Sequence, residues 1–210
     1  MNTLAQLAIE QLGQPEQAGQ PNKPNKPQIL ANESRRVAIA ALATLGAIGL
    51  QGCAAIEPAG YAAEKPVLDL KTYFNGTIDA WGMFQDRSGK VIKRFTVLMK
   101  CSWQGNQGVL DEDFTYSDGT KEKRVWRLTE TAPGAYIGKA GDVVGEAIGS
   151  AAGNALNWRY VLALPVDGKV YNVDFDDWMY LIDDKVMINR AVMSKFGFKL
   201  GEVLLSFTKR

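Results

Sequence analysis

From Val67 onward, apolar and polar residues alternate with a period of two, and turn residues interrupt them at short, regular intervals. Around 91–103, Val91, Phe95, Val97, Met99, Cys101 and Trp103 share one face, with Ile92, Arg94, Thr96, Lys100 and Ser102 on the other. In 156–164, Leu156, Trp158, Tyr160, Leu162 and Leu164 alternate with Asn157, Arg159, Val161 and Ala163, and the last strand puts Val203, Leu205 and Phe207 on one side. Turn signals fall at Asp86-Arg87-Ser88-Gly89, Gly105-Asn106-Gln107-Gly108, Ser117-Asp118-Gly119, Pro133-Gly134, Asp167-Gly168 and Asp183-Asp184. Alternation sustained over this many segments means strands with one face buried and one wet. The predicted fold is all-β: an antiparallel up-and-down meander closing into a barrel of about eight strands over 67–210.

One hairpin can be read to its register. A three-residue loop at Ser117-Asp118-Gly119, with Gly119 left-handed, pairs Tyr116 with Thr120, Phe114 with Glu122, Glu112 with Arg124 and Leu110 with Trp126. That register gathers the apolar residues on one face; a slip by one residue would scatter them. It also puts Glu112 and Arg124 together on the apolar face, where opposite charges are expected to pair, because a lone buried charge is costly.

Two stretches break the rhythm. Gly141, Gly145, Gly149 and Gly153 recur every four residues among Val143, Val144, Ala147, Ile148 and Ala151, which predicts a short helix or flap over 141–153. Near the start, Arg35 and Arg36 precede an apolar run from Val37 to Leu50 that is shorter than the roughly 17–25 residues needed to span a bilayer. A basic pair, a short apolar run and small residues make an export signal over 35–52. Its end, Leu50-Gln51-Gly52-Cys53, resembles the lipobox of bacterial lipoproteins, which implies lipidation of Cys53 and attachment to a membrane facing the periplasm. Ala54, in place of Asp after the cysteine, implies the inner leaflet of the outer membrane by resemblance to the enterobacterial sorting rule. Residues 1–34 read as a disordered Gln/Pro/Asn/Lys-rich extension or as a mis-assigned start, with translation expected to begin near Leu30. Residues 53–66 read as a lipidated tether.

Composition narrows the chemistry. Residues 53–210 hold equal numbers of acidic and basic side chains, which argues against a nucleic-acid partner. The chain has no histidine, which removes His-based triads and most zinc or copper sites. Cys53 is assigned to lipid, so Cys101 has no disulfide partner and reads as a buried structural thiol. The run Asp174, Asp176, Asp177, Asp183 and Asp184 lacks the Gly and terminal Glu of an EF-hand and reads as a solvated edge. Alternation sends Glu112 to one face and Asp111 and Asp113 to the other, so these three carboxylates do not converge. No catalytic residue, metal or cofactor is assigned.

The strings Phe74-Asn75-Gly76, Ala80-Trp81-Gly82, Leu110-Asp111-Glu112-Asp113-Phe114, Tyr116-Ser117-Asp118-Gly119, Val125-Trp126, Asp142-Val143-Val144-Gly145, Asn157-Trp158 and Asp176-Asp177-Trp178-Met179 occur in order. Together they resemble a proteobacterial lipoprotein family called domain of unknown function 3833, over about 67–210. The resemblance implies a lipocalin-like (calycin) barrel and no particular activity. A barrel anchored beside a membrane, with an aromatic inner face and the Glu112–Arg124 pair, makes a fatty-acyl ligand the expectation, and members of the family are encoded near enzymes that modify membrane fatty acids. The candidate pocket is Glu112, Arg124, Trp126, Trp158, Tyr160 and Trp178. Arg94 and Arg159 join it if the polar faces of their strands line the lumen, since arginine suits a carboxylate. Against this stand a barrel with a filled core that acts as an interaction module, and an enzyme using carboxylates on lipids.

Overall fold

The alternating segments become the wall of a closed barrel. The structure, a computed structural model, describes residues 55–166 and 169–210; the signal segment and Cys53 lie outside the described residues. The strands are β1 (Gly76–Asp86), β2 (Val91–Gln104), β3 (Gln107–Tyr116), β4 (Lys121–Ala132), β5 (Ala135–Lys139), β6 (Ala147–Ala152), β7 (Ala155–Val166), β8 (Lys169–Leu181), β9 (Val186–Lys195) and β10 (Phe198–Lys209). Each pairs antiparallel with the next, and β10 returns to β1, with Ile78 opposite Lys209 and Phe84 opposite Val203. The described residues thus form ten strands rather than about eight.

The difference comes from β5 and β6, and with it goes the helix or flap expected over 141–153. Residues 147–152 are strand β6, and only 141–146 form a loop, held to β7 by a bridge between Val143 and Leu162. The glycines serve packing rather than a helix. Gly138 and Gly149 both face inward against the Trp158 indole, which any side chain there would overlap. The same device recurs where Gly82 seats Phe95, Gly108 seats Trp103 and Gly201 seats Phe84. In β6 the alternation is real, with Ala147 and Gly149 buried and Ile148 and Ser150 exposed, but a glycine in the inward slot hides it.

The segment read as a tether lies partly on the wall. Pro58–Tyr61 form a 3-10 turn with Pro58 buried, and the Tyr61 ring packs 5.9 Å from Trp178 and 5.4 Å from Tyr180. The Leu68 amide donates to the Gly153 carbonyl at 2.8 Å. A single helical turn follows, α1 (Leu70–Tyr73), capped by Asp69, which accepts from the Lys71 and Thr72 amides. One turn is too short to stand alone in water. Here burial of Leu70, Tyr73 and Phe74 holds it, with the Tyr73 hydroxyl donating to the Lys185 carbonyl at 2.9 Å. This plug closes the barrel end that carries the β2–β3, β4–β5, β6–β7 and β8–β9 turns.

Inside, the lumen is apolar: Ile78, Phe84, Leu162, Leu164, Val173, Met187 and Met193 are almost wholly buried. Outside, the strands carry Thr96, Lys100, Asp113, Arg127, Asp174 and Arg190 toward solvent. This is the reverse of a membrane-spanning barrel, whose apolar band faces lipid. Among the described residues no helix is long and apolar enough to cross a membrane.

Candidate functional site

Five of the residues singled out from the sequence meet in one cavity of about 120 Å³ inside the barrel: Glu112, Arg124, Trp126, Trp158 and Tyr160. Strand parity puts them there. Glu112 and Arg124 are register partners on β3 and β4, and the hairpin between them has the predicted three-residue loop, with the Tyr116 amide donating to the Thr120 carbonyl and Gly119 left-handed. Trp126 follows Arg124 on β4, and Trp158 and Tyr160 lie on the inward face of β7. Their rings interlock, Trp126 edge-on to Trp158 at 5.7 Å and to Tyr160 at 5.4 Å, with Tyr160 stacked on Phe175 at 4.9 Å. Leu70 and Phe74 of the plug segment form part of the lining.

The polar contacts differ from expectation. Arg124 pairs with Asp142, not Glu112: its Nε and Nη2 donate to Asp142 Oδ2 at 3.1 and 2.7 Å. Asp142 comes from the 141–146 loop, which folds over β7. Burial disfavours the charge on Arg124, but Asp142 and Glu112 outweigh it and keep the guanidinium firmly protonated. Glu112 lines the cavity and, among the described residues, makes no hydrogen bond or salt bridge. Its carboxyl is pushed up to about 7, because burial penalises the anion more than Arg124 favours it.

Asp177 and Asn189 complete the set, and the sequence reading missed both. Asp177 belongs to the acidic run that reads as a solvated edge, yet parity along β8 sets it inward with Val173 and Phe175, while Asp174 and Asp176 face out. Asn189 shares the inward face of β9 with Met187 and Ala191. Asn189 Nδ2 donates to one Asp177 oxygen, and the Tyr160 hydroxyl donates to the other at 3.4 Å. Burial still dominates and raises Asp177 to about 7, while burial and Asp177 together drive the Tyr160 hydroxyl well above its usual range. The signal for Asp177 and Asn189 was the two-residue period itself. Asp142 had none, lying in a segment without alternation.

Three expected pocket residues are elsewhere. Arg94 and Arg159 are on the solvent faces of β2 and β7, with Arg159 paired to Asp176 at 3.3 Å. The polar faces of the strands are the outer faces, so neither arginine reaches the lumen. Trp178 is on the outer face of β8, stacked on Tyr180 under Tyr61. Asp111 and Asp113 also face outward, both against Lys123. Cys101 is buried in the wall, and burial pushes its thiol up to about 12, which leaves it inert.

Comparison with known proteins places the chain by sequence and by fold. The profile of the family described as protein of unknown function (DUF3833) matches residues 47–209. The chain belongs to this family. No match was found among curated protein sequences. Among solved structures, the chain is similar to the S-type phycobiliprotein lyase of Guillardia theta, with 5% identity and a TM-score of 0.50 over 68% of this chain and 93% of that one. It is also similar to Rv2717c of M. tuberculosis, with 12% identity and a TM-score of 0.49 over 70% and 99%. At 5% identity the likeness to the lyase is one of fold alone: this DUF3833 member is a closed antiparallel barrel of lipocalin-like architecture.

Proposed function

We propose that the mature chain is a lipid-anchored periplasmic protein whose barrel binds one small, largely apolar ligand. The anchor is Cys53 of the lipobox, with the inner leaflet of the outer membrane as its address. The observation that carries the binding reading is Glu112, an acid lining an aromatic cavity and, among the described residues, without a hydrogen-bond or salt-bridge partner. Buried polar groups are normally satisfied, so an open one in a cavity marks where a ligand's polar atom belongs.

Charge selects the head group. The cavity lining sets one base, Arg124, against two acids, Glu112 and Asp177, and Asp142 of the 141–146 loop already occupies Arg124. A fatty-acid carboxylate would be repelled at neutral pH, whereas an amine, an alcohol or a protonated acid can donate to Glu112. Volume selects size. At about 120 Å³ the cavity is near the ~150 Å³ that holds benzene in an engineered core, and below the ~300–1,000 Å³ of drug-sized sites. A short acyl chain fits with little adjustment, and a long one requires Met99, Met179 and Leu205 to move.

Calorimetric titration of the protein with hexylamine, hexanol and hexanoate tests this. Hexylamine and hexanol are expected to bind saturably at pH 8, and hexanoate about tenfold more weakly, gaining as pH falls. No saturable binding by any of the three would leave the filled-core interaction module as the better reading. Tightest binding by hexanoate at pH 8 would overturn the charge argument. A second reading, a carboxylate-dependent enzyme acting on lipids, draws on Glu112 and Asp177 sharing one cavity with both carboxyls near 7. It predicts turnover of short esters that is lost in both Glu112→Gln and Asp177→Asn.

A further inference from the structure

The barrel end opposite the plug carries the β1–β2, β9–β10, β7–β8, β5–β6 and β3–β4 turns, in that order around the rim. Three neighbouring turns repeat one pair of residues, a lysine followed by an exposed apolar side chain: Lys90-Val91, Lys195-Phe196 and Lys169-Val170. Val91 is 43% exposed, Val170 67%, Phe196 84% and Phe198, across the same turn, 74%. Folding does not ask for this.

Phe196 makes the point most sharply. Lys195 pairs with Phe198, so Phe196-Gly197 is a two-residue hairpin turn, with φ of +51° and +80°. Such turns favour Asn-Gly, because a left-handed backbone is unfavourable for a bulky side chain. Phe196 is the one non-glycine residue with positive φ among the described residues. It therefore carries backbone strain and hydrophobic exposure together, and neither stabilises the barrel. Strain of this kind persists where function uses it.

We propose that this rim docks on an anionic lipid surface, with Phe196, Phe198 and Val170 entering the headgroup–acyl boundary and Lys90 and Lys169 meeting lipid phosphates, while Lys195 donates to the Asn172 carbonyl at 2.7 Å. Charge complementarity favours lipid over a second copy of the chain. Lys90 and Lys169 are exposed beside the apolar tips, as is Arg87. Of the acids at these three turns, Asp86 turns back to accept from the Ser88 and Lys90 amides, and the sequence adds Asp167; the acids of the other two rim turns, Asp118, Asp142 and Glu146, pair with Lys93, Arg124 and Lys139. Aromatic tips flanked by lysines are the composition of interfacial membrane contact, each cation near an anionic surface adding to the attraction. The contact is separate from the anchor at Cys53 and holds whether or not the lumen takes a ligand.

The test uses the full chain with Cys53→Ser, spin-labelled at Phe198→Cys on the rim or Ile182→Cys at the plug end, on vesicles of phosphatidylglycerol and phosphatidylethanolamine. The rim label is expected to lose at least half of its accessibility to a water-soluble relaxation agent and to gain collisions with lipid-dissolved oxygen, while the label at 182 changes little. Added Phe196→Asn is expected to raise the melting temperature by about 2–4 °C and to weaken the rim label's protection several-fold. A purely structural Phe196 would not show that opposition. Equal aqueous accessibility of both labels on these vesicles would overturn the proposal. So would rim protection that grows with protein concentration in the absence of vesicles, which would assign the rim to a second copy.

Discussion

Glu112 and Asp177 are acids whose folded environment favours the neutral form, and this links stability to pH in a direction opposite to that of ordinary surface carboxylates. Both have folded values near 7, above their unfolded ones. Their contribution is complete below about pH 4 and is lost as pH rises toward 7, by roughly 3–4 kcal/mol each at most. Asp79, Asp86, Asp118 and Glu202 act the other way: their partners hold them below the usual range, so their contribution is lost in stronger acid. Arg124, held protonated, and Tyr160, with its hydroxyl well above the usual range, lie beside the two raised acids and do not titrate across this range. The protein is therefore expected to melt higher at pH 5 than at pH 8. Glu112→Gln should flatten that slope, read as melting temperature against pH by circular dichroism. An unchanged slope in Glu112→Gln would show that its carboxyl is more solvated than the cavity implies.

Among the elements, β6 separates what pattern reveals from what packing requires. Strands such as β2 and β7 were legible because large apolar residues mark every second position. In β6 the inward positions are Ala147 and Gly149, so the same geometry leaves no mark, and four-residue glycine spacing reads as a helix instead. The Trp158 indole fills the space that Gly149 leaves. Gly149→Ala is expected to destabilise the barrel by about 1–3 kcal/mol through overpacking. Ser150→Ala, one residue along and facing out, should be nearly neutral. Chemical denaturation of the two variants checks this, and equal midpoints would mean that the indole has room to shift.

For the whole molecule, the plug sets how large the cavity is. Leu70 and Phe74 close one end, and the aromatic rings of β4, β7 and β8 fill much of what a ten-stranded barrel would otherwise leave open. Phe74→Ala should lower stability by about 3–5 kcal/mol, the usual cost of truncating a buried ring, and lengthen the cavity toward the plug. The alcohol series from hexanol to decanol is then expected to shift its optimum to longer chains in this variant. The same optimum in wild type and Phe74→Ala would place the ligand away from the plug.

The sequence by itself determined the wall: period-two alternation, the Ser117–Gly119 hairpin with its register, and the inward placement of Glu112, Arg124, Trp126, Trp158 and Tyr160 all follow from local rules. It also held Asp177 and Asn189 at inward positions, where parity along their strands outweighs the habit of reading acids as surface. Only the tertiary structure decided which charges meet. Asp142 reaches Arg124 because a loop folds over β7, and Glu112 is left open because Arg124 is already occupied. Periodicity tells which way a side chain points, since that is fixed by its own backbone. Which partner it finds across the lumen depends on how the barrel closes, and that is a property of all ten strands together.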